Sequence, residues 1–133
     1  MRRELPDSTD PKQWMRRARS NLARARDIRG VPEVLYEDLC FDAQQAAEKA
    51  IKAVLVGRQV EFPKTHAIAE LVTIVEHNGI PCPDDVRQGV RLTRYAVQTR
   101  YPGLVEDVTE EDHRRAVELA EQVVLWAEAE IGK

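Results

Sequence analysis

Cys40-Phe-Asp-Ala-Gln-Gln-Ala-Ala-Glu-Lys-Ala-Ile-Lys-Ala-Val-Leu55 is the stretch that decides the fold. Tyr36, Leu39, Cys40, Ala43, Ala47, Ala50, Ile51 and Val54 recur at the three- and four-residue steps of one helical face. Ala43, Ala46, Ala47, Ala50 and Ala53 present so little side chain that another helix can approach closely. This predicts a central helix. Gln44 falls inside the apolar arc, between Cys40 and Ile51, so a buried amide there must find a hydrogen-bond partner.

Outward from this segment, the chain divides into five helical stretches with local start and stop signals. Asp10-Pro11 opens the first, a capping residue followed by proline at a position whose missing N–H costs nothing. Its stripe is Trp14, Ala18, Leu22 and Ala25, and Gly30-Val31-Pro32 ends it. The second runs from about Pro32 to Val56 and stops at Gly57. The third starts near Thr65 and closes at Asn78-Gly79, with Ile68, Leu71, Val72 and Val75 inward. The fourth follows Pro83-Asp84 to about Arg100 and is ended by Pro102-Gly103. The fifth has Thr109 as N-cap and Asp112 three residues on, a capping-box start, with Ala116, Leu119, Ala120, Val123, Trp126 and Ala127 inward. No strand pattern survives, and the short connections make successive helices antiparallel neighbours. The expected fold is all-α, an up-and-down bundle of four to five helices forming one domain over residues 1–133, its core about 11–131.

At 133 residues the chain can bury roughly 65–70% of its unfolded surface. Its charged fraction is 32% and its aromatic fraction 5%, a mix that suits a helical protein with a small-residue core. A net charge of −3 gives no global attraction to nucleic acid or anionic lipid, so any such role rests on a local basic patch. Cys40 and Cys82 lack metal-ligand spacing; Cys40 reads as a small buried hydrophobe, and a disulfide between the two stays open. The first residues lack the apolar run of a signal peptide, and no run of apolar residues is long enough to span a bilayer. A cytoplasmic protein without membrane contact is expected.

Arg87, Arg91 and Arg94, spaced four and three apart, share a face of a regular α-helix, with Gln98 continuing the row and Arg100-Tyr101 at its end. Such a row can track phosphates, since arginine forks bind them bidentately; it can equally be a solvated face paired with Glu110, Glu118 or Glu121. Arg100-Tyr101-Pro102-Gly103 divides between binding and simple helix termination. Lys64-Thr65-His66 opens the third helix, where free N–H groups with Lys64 and His66 suit an anion, though Thr65 is also explained as a cap. His77 and His113 read as solvent-facing. No histidine pair has helical ligand spacing, so neither a metal nor any other cofactor is expected. Gln44 and Glu48 are one turn apart and invite a buried network with Tyr95 or Arg94. There is no glycine-rich phosphate loop, no nucleophile elbow and no triad, and Ser8 and Ser20 are the only serines.

The segment Ala43 to Leu55, then Lys64-Thr65-His66 with Ile68 and Leu71, then Arg94-Tyr95 through Arg100-Tyr101-Pro102, resembles the HEPN domain family over roughly Trp14 to Ile131. The resemblance implies an all-α bundle that pairs into a homodimer and associates with nucleotides or RNA. It also implies a nucleotidyltransferase-fold protein as partner, in pairs that include toxin–antitoxin systems. The catalytic branch of the family is a metal-independent endoribonuclease, in which an arginine is followed four to six residues later by a histidine. This chain departs from that pattern: after Arg100 the next histidine, His113, is thirteen positions on, and His66 follows Arg58 by eight. The reading that results is a non-catalytic module binding a nucleotide or RNA phosphate, a nucleotidyltransferase-fold partner, or both. Its alternatives are a ribonuclease with a rearranged site using Arg94, Arg100, Tyr101 or His66, and a purely structural interaction module.

Overall fold

The computed structural model describes residues 8–27, 31–97, 102–103 and 106–133. In chain order the elements are α1 (Pro11–Arg26), α2 (Tyr36–Gly57), α3 (Ile68–His77), the single turn α4 (Asp84–Arg87), a 3-10 helix (Gln88–Tyr95) and α5 (Glu110–Ile131). No strand occurs among the described residues. The all-α bundle is as expected from the sequence.

α2 is the axis of the molecule. It packs along both long helices, α1 and α5, and also meets α3 and the 3-10 helix. Ala43, Ala46, Ala47, Ala50 and Ala53 lie on more than one side of α2 and are all fully buried, which is what contact on several sides requires. Met15, Leu22, Ile51, Leu55, Leu71, Leu92 and Val123 supply the bulk between the alanine-lined surfaces. Polar groups cross-link α1 to α2 as well: Asn21 Nδ2 donates to Asp42 Oδ1 at 3.0 Å, while Lys49 Nζ donates to Asn21 Oδ1 at 2.8 Å.

The long helices begin where their caps dictate. Asp10 accepts a hydrogen bond from the Lys12 amide at 2.9 Å. Thr109 and Asp112 exchange reciprocal bonds at 3.1 and 3.0 Å, the capping box that the spacing predicts. α3 ends at Asn78 with Gly79 at φ +73, a left-handed turn that favours glycine.

Three boundaries differ from the sequence reading. α2 starts at Tyr36 instead of near Pro32, because the Val34 amide closes a turn onto the Val31 carbonyl before the helix begins. α3 starts at Ile68, not at Thr65: the Thr65 hydroxyl accepts the Ala67 amide as a local turn, and Thr93 of the 3-10 helix accepts the Ile68 amide at 3.2 Å. The fourth helix is α-helical for one turn only and then winds tighter up to Tyr95.

The tighter winding follows from residue spacing. Val86, Gly89, Leu92 and Tyr95 recur at strict three-residue intervals and all four are buried. Three residues per turn is the 3-10 period, so this row forms one inward edge. Gly89 permits the approach to α5: a Cβ at that position would lie 2.9 Å from Val123 Cγ2. A second row, Arg87, Val90 and Thr93, faces α3, as the Arg87–Glu76 ion pair and the Thr93–Ile68 bond show. The third row carries Gln88, Arg91 and Arg94.

Candidate nucleic-acid interface and its buried carboxylate

The row Gln44, Glu48 and Lys52 runs at four-residue steps along α2, and all three side chains are buried. Glu48, 4% exposed, is the hub. Lys52 Nζ donates to its Oε2 at 2.9 Å, while Gln44 Nε2 and His66 Nδ1 both reach Oε1 at 2.9 Å. Burial pushes the Glu48 carboxyl up, but the hydrogen bonds from Lys52, Gln44 and His66, with the Lys52 charge, outweigh it and hold the group below its ordinary value. An ionised carboxylate only accepts. Gln44 must therefore turn its NH2 to Glu48, which leaves its carbonyl to accept from Gln45 Nε2 at 2.7 Å.

The Lys52 ammonium has a second environment. It lies 5.9 Å from the centroid of Trp14 and 5.7 Å from that of Phe62, rings that meet edge to face. Trp14 is fixed in turn by its indole N–H, which donates to the Ser8 carbonyl at 2.8 Å. A buried cation thus sits between one carboxylate and two aromatic rings.

This arrangement corrects the expected partners of Gln44 and Glu48. Neither Tyr95 nor Arg94 is among the residues bonded to Glu48; Lys52 and His66 fill those places. Tyr95 instead packs at Cys40, and burial first, then the neighbouring thiol, pushes its hydroxyl up from its usual range. Arg94 lies against the Tyr95 ring, its guanidinium carbon 5.1 Å from the centroid, and contributes to holding Asp112 low after the Thr109 bonds.

The arginine row does not survive as one face. With three residues per turn, Arg91 is rotated about a third of a turn from Arg87, whereas Arg91 and Arg94 align. Arg87 pairs with Glu76 of α3 at 2.8 Å, and not with the carboxylates of α5. Glu118 and Glu121 are engaged by Arg115 and Arg26. Arg91 and Arg94 both face solvent. Arg100, Tyr101 and Gln98 lie outside the described residues.

Lys64 is exposed, and so is His66, whose side chain is 69% accessible although its Nδ1 reaches the buried Glu48. The Ile68–Thr93 hydrogen bond ties this loop to the turn that carries Arg91 and Arg94. Four of the expected phosphate contacts, Lys64, His66, Arg91 and Arg94, are therefore on adjoining exposed segments, while Arg87 is diverted.

His77 is exposed as expected, but His113 is not. It is 4% exposed, its Nε2 donates to the Ala25 carbonyl at 2.6 Å, and Tyr36 stacks on its ring. An open groove beside it is lined by Arg26, Tyr36, Glu110, Arg114 and Val117. Its cations are matched by carboxylates, Arg26 by Glu121 and Arg114 by Glu111, so it lacks the charge to attract a polyanion. Cys40 and Cys82 are both buried and form no disulfide. Among the described residues, no group of three or more potential ligand side chains could hold a metal ion, and no helix is long and apolar enough to cross a membrane.

The sequence reading assigns neither Lys52 to this network nor His113 to the core. Lys52 carried a signal, the four-residue Glu48–Lys52 spacing of a helical ion pair.

Comparison with known proteins agrees with this architecture. A search of curated proteins found no significant match. Among solved structures, the crystal structure of ST0689, an archaeal HEPN homologue, matches with a TM-score of 0.71 and 26% sequence identity, covering 92% of this chain and 98% of that one. The family model for the HEPN domain matches residues 11–130, from the first residue of α1 nearly to the last of α5. With the model spanning the bundle from end to end, the chain belongs to the HEPN domain family.

Proposed function

We propose that this HEPN protein is a binding module for RNA or nucleotide phosphate, and that the patch formed by Lys64, His66, Arg91 and Arg94 makes the contact. The observation that carries the reading is the hydrogen bond from the Ile68 amide to Thr93 Oγ1, which joins two cationic exposed segments from distant parts of the sequence. The net charge of the chain is −3, so a local cluster of this kind is what a polyanion would find. Lysine and arginine neutralise phosphates and release counterions, so binding weakens as salt rises.

The test is a titration of short single-stranded RNA and of free nucleotide with the full chain, at two salt concentrations. Arg91→Ala and Arg94→Ala each weaken RNA binding and reduce its salt slope by about one. Arg87→Ala, which removes a side chain committed to Glu76, leaves it unchanged. No binding by the wild type, or equal effects from all three substitutions, refutes the reading. A homodimer and a nucleotidyltransferase-fold partner belong to the same proposal. A monomer by light scattering at micromolar concentration argues against the first, and failure to co-purify with the product of an adjacent gene against the second.

One observation favours an enzymatic alternative: a buried carboxylate holding an exposed imidazole, as in Glu48–His66, is an arrangement used for proton transfer. RNA incubated with the pure protein in the presence of EDTA separates the two. Intact RNA rejects the ribonuclease, and cleavage that disappears in His66→Ala supports it.

A further inference from the structure

Lys64, Arg91 and Arg94 carry only hydrogen-bond donors, and so does every other cation at this edge. His66 differs, and Glu48 is the reason. Because Glu48 is held in its charged, acceptor-only form, the 2.9 Å contact at His66 Nδ1 requires that nitrogen to carry the proton. In the neutral imidazole the other nitrogen, Nε2, is then an acceptor with its lone pair unused. Among the described residues no hydrogen bond engages it, and the side chain is 69% exposed. Among the described residues the two threonine hydroxyls at this edge, Thr65 and Thr93, each already accept a backbone amide, from Ala67 and Ile68.

We infer that His66 is the ribose-reading residue of the phosphate-binding patch: its Nε2 accepts a hydrogen bond from a ribose 2′-hydroxyl, and Glu48 is the positioning residue that keeps Nε2 an acceptor. The inference rests on the phosphate-binding reading above and adds sugar discrimination to it. A 2′-hydroxyl stands next to the phosphate on the same sugar, within reach of groups that flank that phosphate. Donors from Lys64, Arg91 and Arg94 attract RNA and DNA alike. A lone pair pointing outward favours the polymer that brings a hydroxyl proton to it.

The test compares three fluorescent single strands of one sequence, RNA, DNA and 2′-O-methyl RNA, by anisotropy against wild type and variants, with EDTA present. Wild type binds RNA roughly three- to tenfold tighter than either other strand, the range of one neutral hydrogen bond. His66→Ala abolishes that preference and retains binding to DNA. His66→Asn, whose short amide can still meet Glu48 but has no acceptor at the Nε2 position, does the same. Glu48→Gln offers an amide donor to Nδ1, switches the proton to Nε2, and removes the preference; the switch appears directly in the 15N shifts of the His66 ring. Equal binding of all three strands by wild type overturns the inference and leaves the phosphate reading standing. Preference that persists in His66→Ala also overturns it. Binding of none of the strands overturns both.

Discussion

Lys52→Met is the sharpest test of the buried network. The substitution keeps the stem of the side chain and removes its charge, leaving Glu48 with Gln44 and His66 as its remaining partners. Breaking a buried ion pair on one side costs about 3–5 kcal/mol, because the surviving charge is left uncompensated. Two retained hydrogen bonds place this case near the lower end. Loss of the cation from beside Trp14 and Phe62 adds little, since the methionine sulfur interacts favourably with the same rings. The expected loss is therefore about 3 kcal/mol, or about 10 °C in Tm for a domain of this size. Its pH dependence follows from the direction in which Glu48 is displaced. In the wild type its carboxyl is held below its ordinary value, so its contribution is fully present above the unfolded value and is lost as pH falls through the folded one. In Lys52→Met burial prevails and the carboxyl rises, so protonation at mildly acidic pH relieves the penalty. The difference between the two proteins is thus largest near pH 7 and shrinks as the medium is acidified through the carboxylate range. Urea unfolding followed by circular dichroism at pH 7 and pH 4 measures both quantities. The double variant Glu48→Gln/Lys52→Met, with no charge left to strand, regains most of the loss. A single variant as stable as wild type, or a deficit equal at both pH values, refutes the argument.

Gly89→Ala places a methyl 2.9 Å from Val123 Cγ2, and valine is stiff about χ1, so the helices must separate; a loss of about 2 kcal/mol in urea unfolding is expected, and none would contradict the close approach. His113→Phe keeps a ring under Tyr36 but takes the donor from the Ala25 carbonyl, lowering stability by about 1–3 kcal/mol by the same assay. Burial, reinforced by Glu76 and opposed by Arg87, pushes the Cys82 thiol up to about 11, so alkylation by iodoacetamide at pH 8 is slow until denaturant is added. Mass spectrometry showing rapid native labelling at Cys82 would contradict that environment.

What the sequence discloses depends on how local the cause is. Asp10 and the Thr109–Asp112 box act within three residues, and both mark helix starts correctly. The alanines of α2 predict a helix enclosed by others, and Gln44 is buried and bonded as its position demands. Of the partners of Glu48, His66 is not legible, because it comes from a loop that only the tertiary fold brings to the carboxylate. Arg87, Arg91 and Arg94 align on an α-helix and separate on a 3-10 helix, and the strict three-residue recurrence from Val86 to Tyr95 is the sign of the tighter winding. His113 looks solvated among Asp112, Arg114 and Arg115, yet it stands three residues before Ala116, on the core row of α5.

Eight consecutive residues of 3-10 helix, Gln88–Tyr95, are longer than such segments commonly run, and 3-10 winding aligns its hydrogen bonds less well than an α-helix does. Native-state hydrogen exchange is accordingly expected to open the amides of this segment earlier than those of the enclosed α2. On that expectation the edge bearing Arg91 and Arg94 opens more readily than the helix it packs on. A polyanion that gripped both arginines would quench that local breathing, and part of its attraction would be spent on the lost freedom.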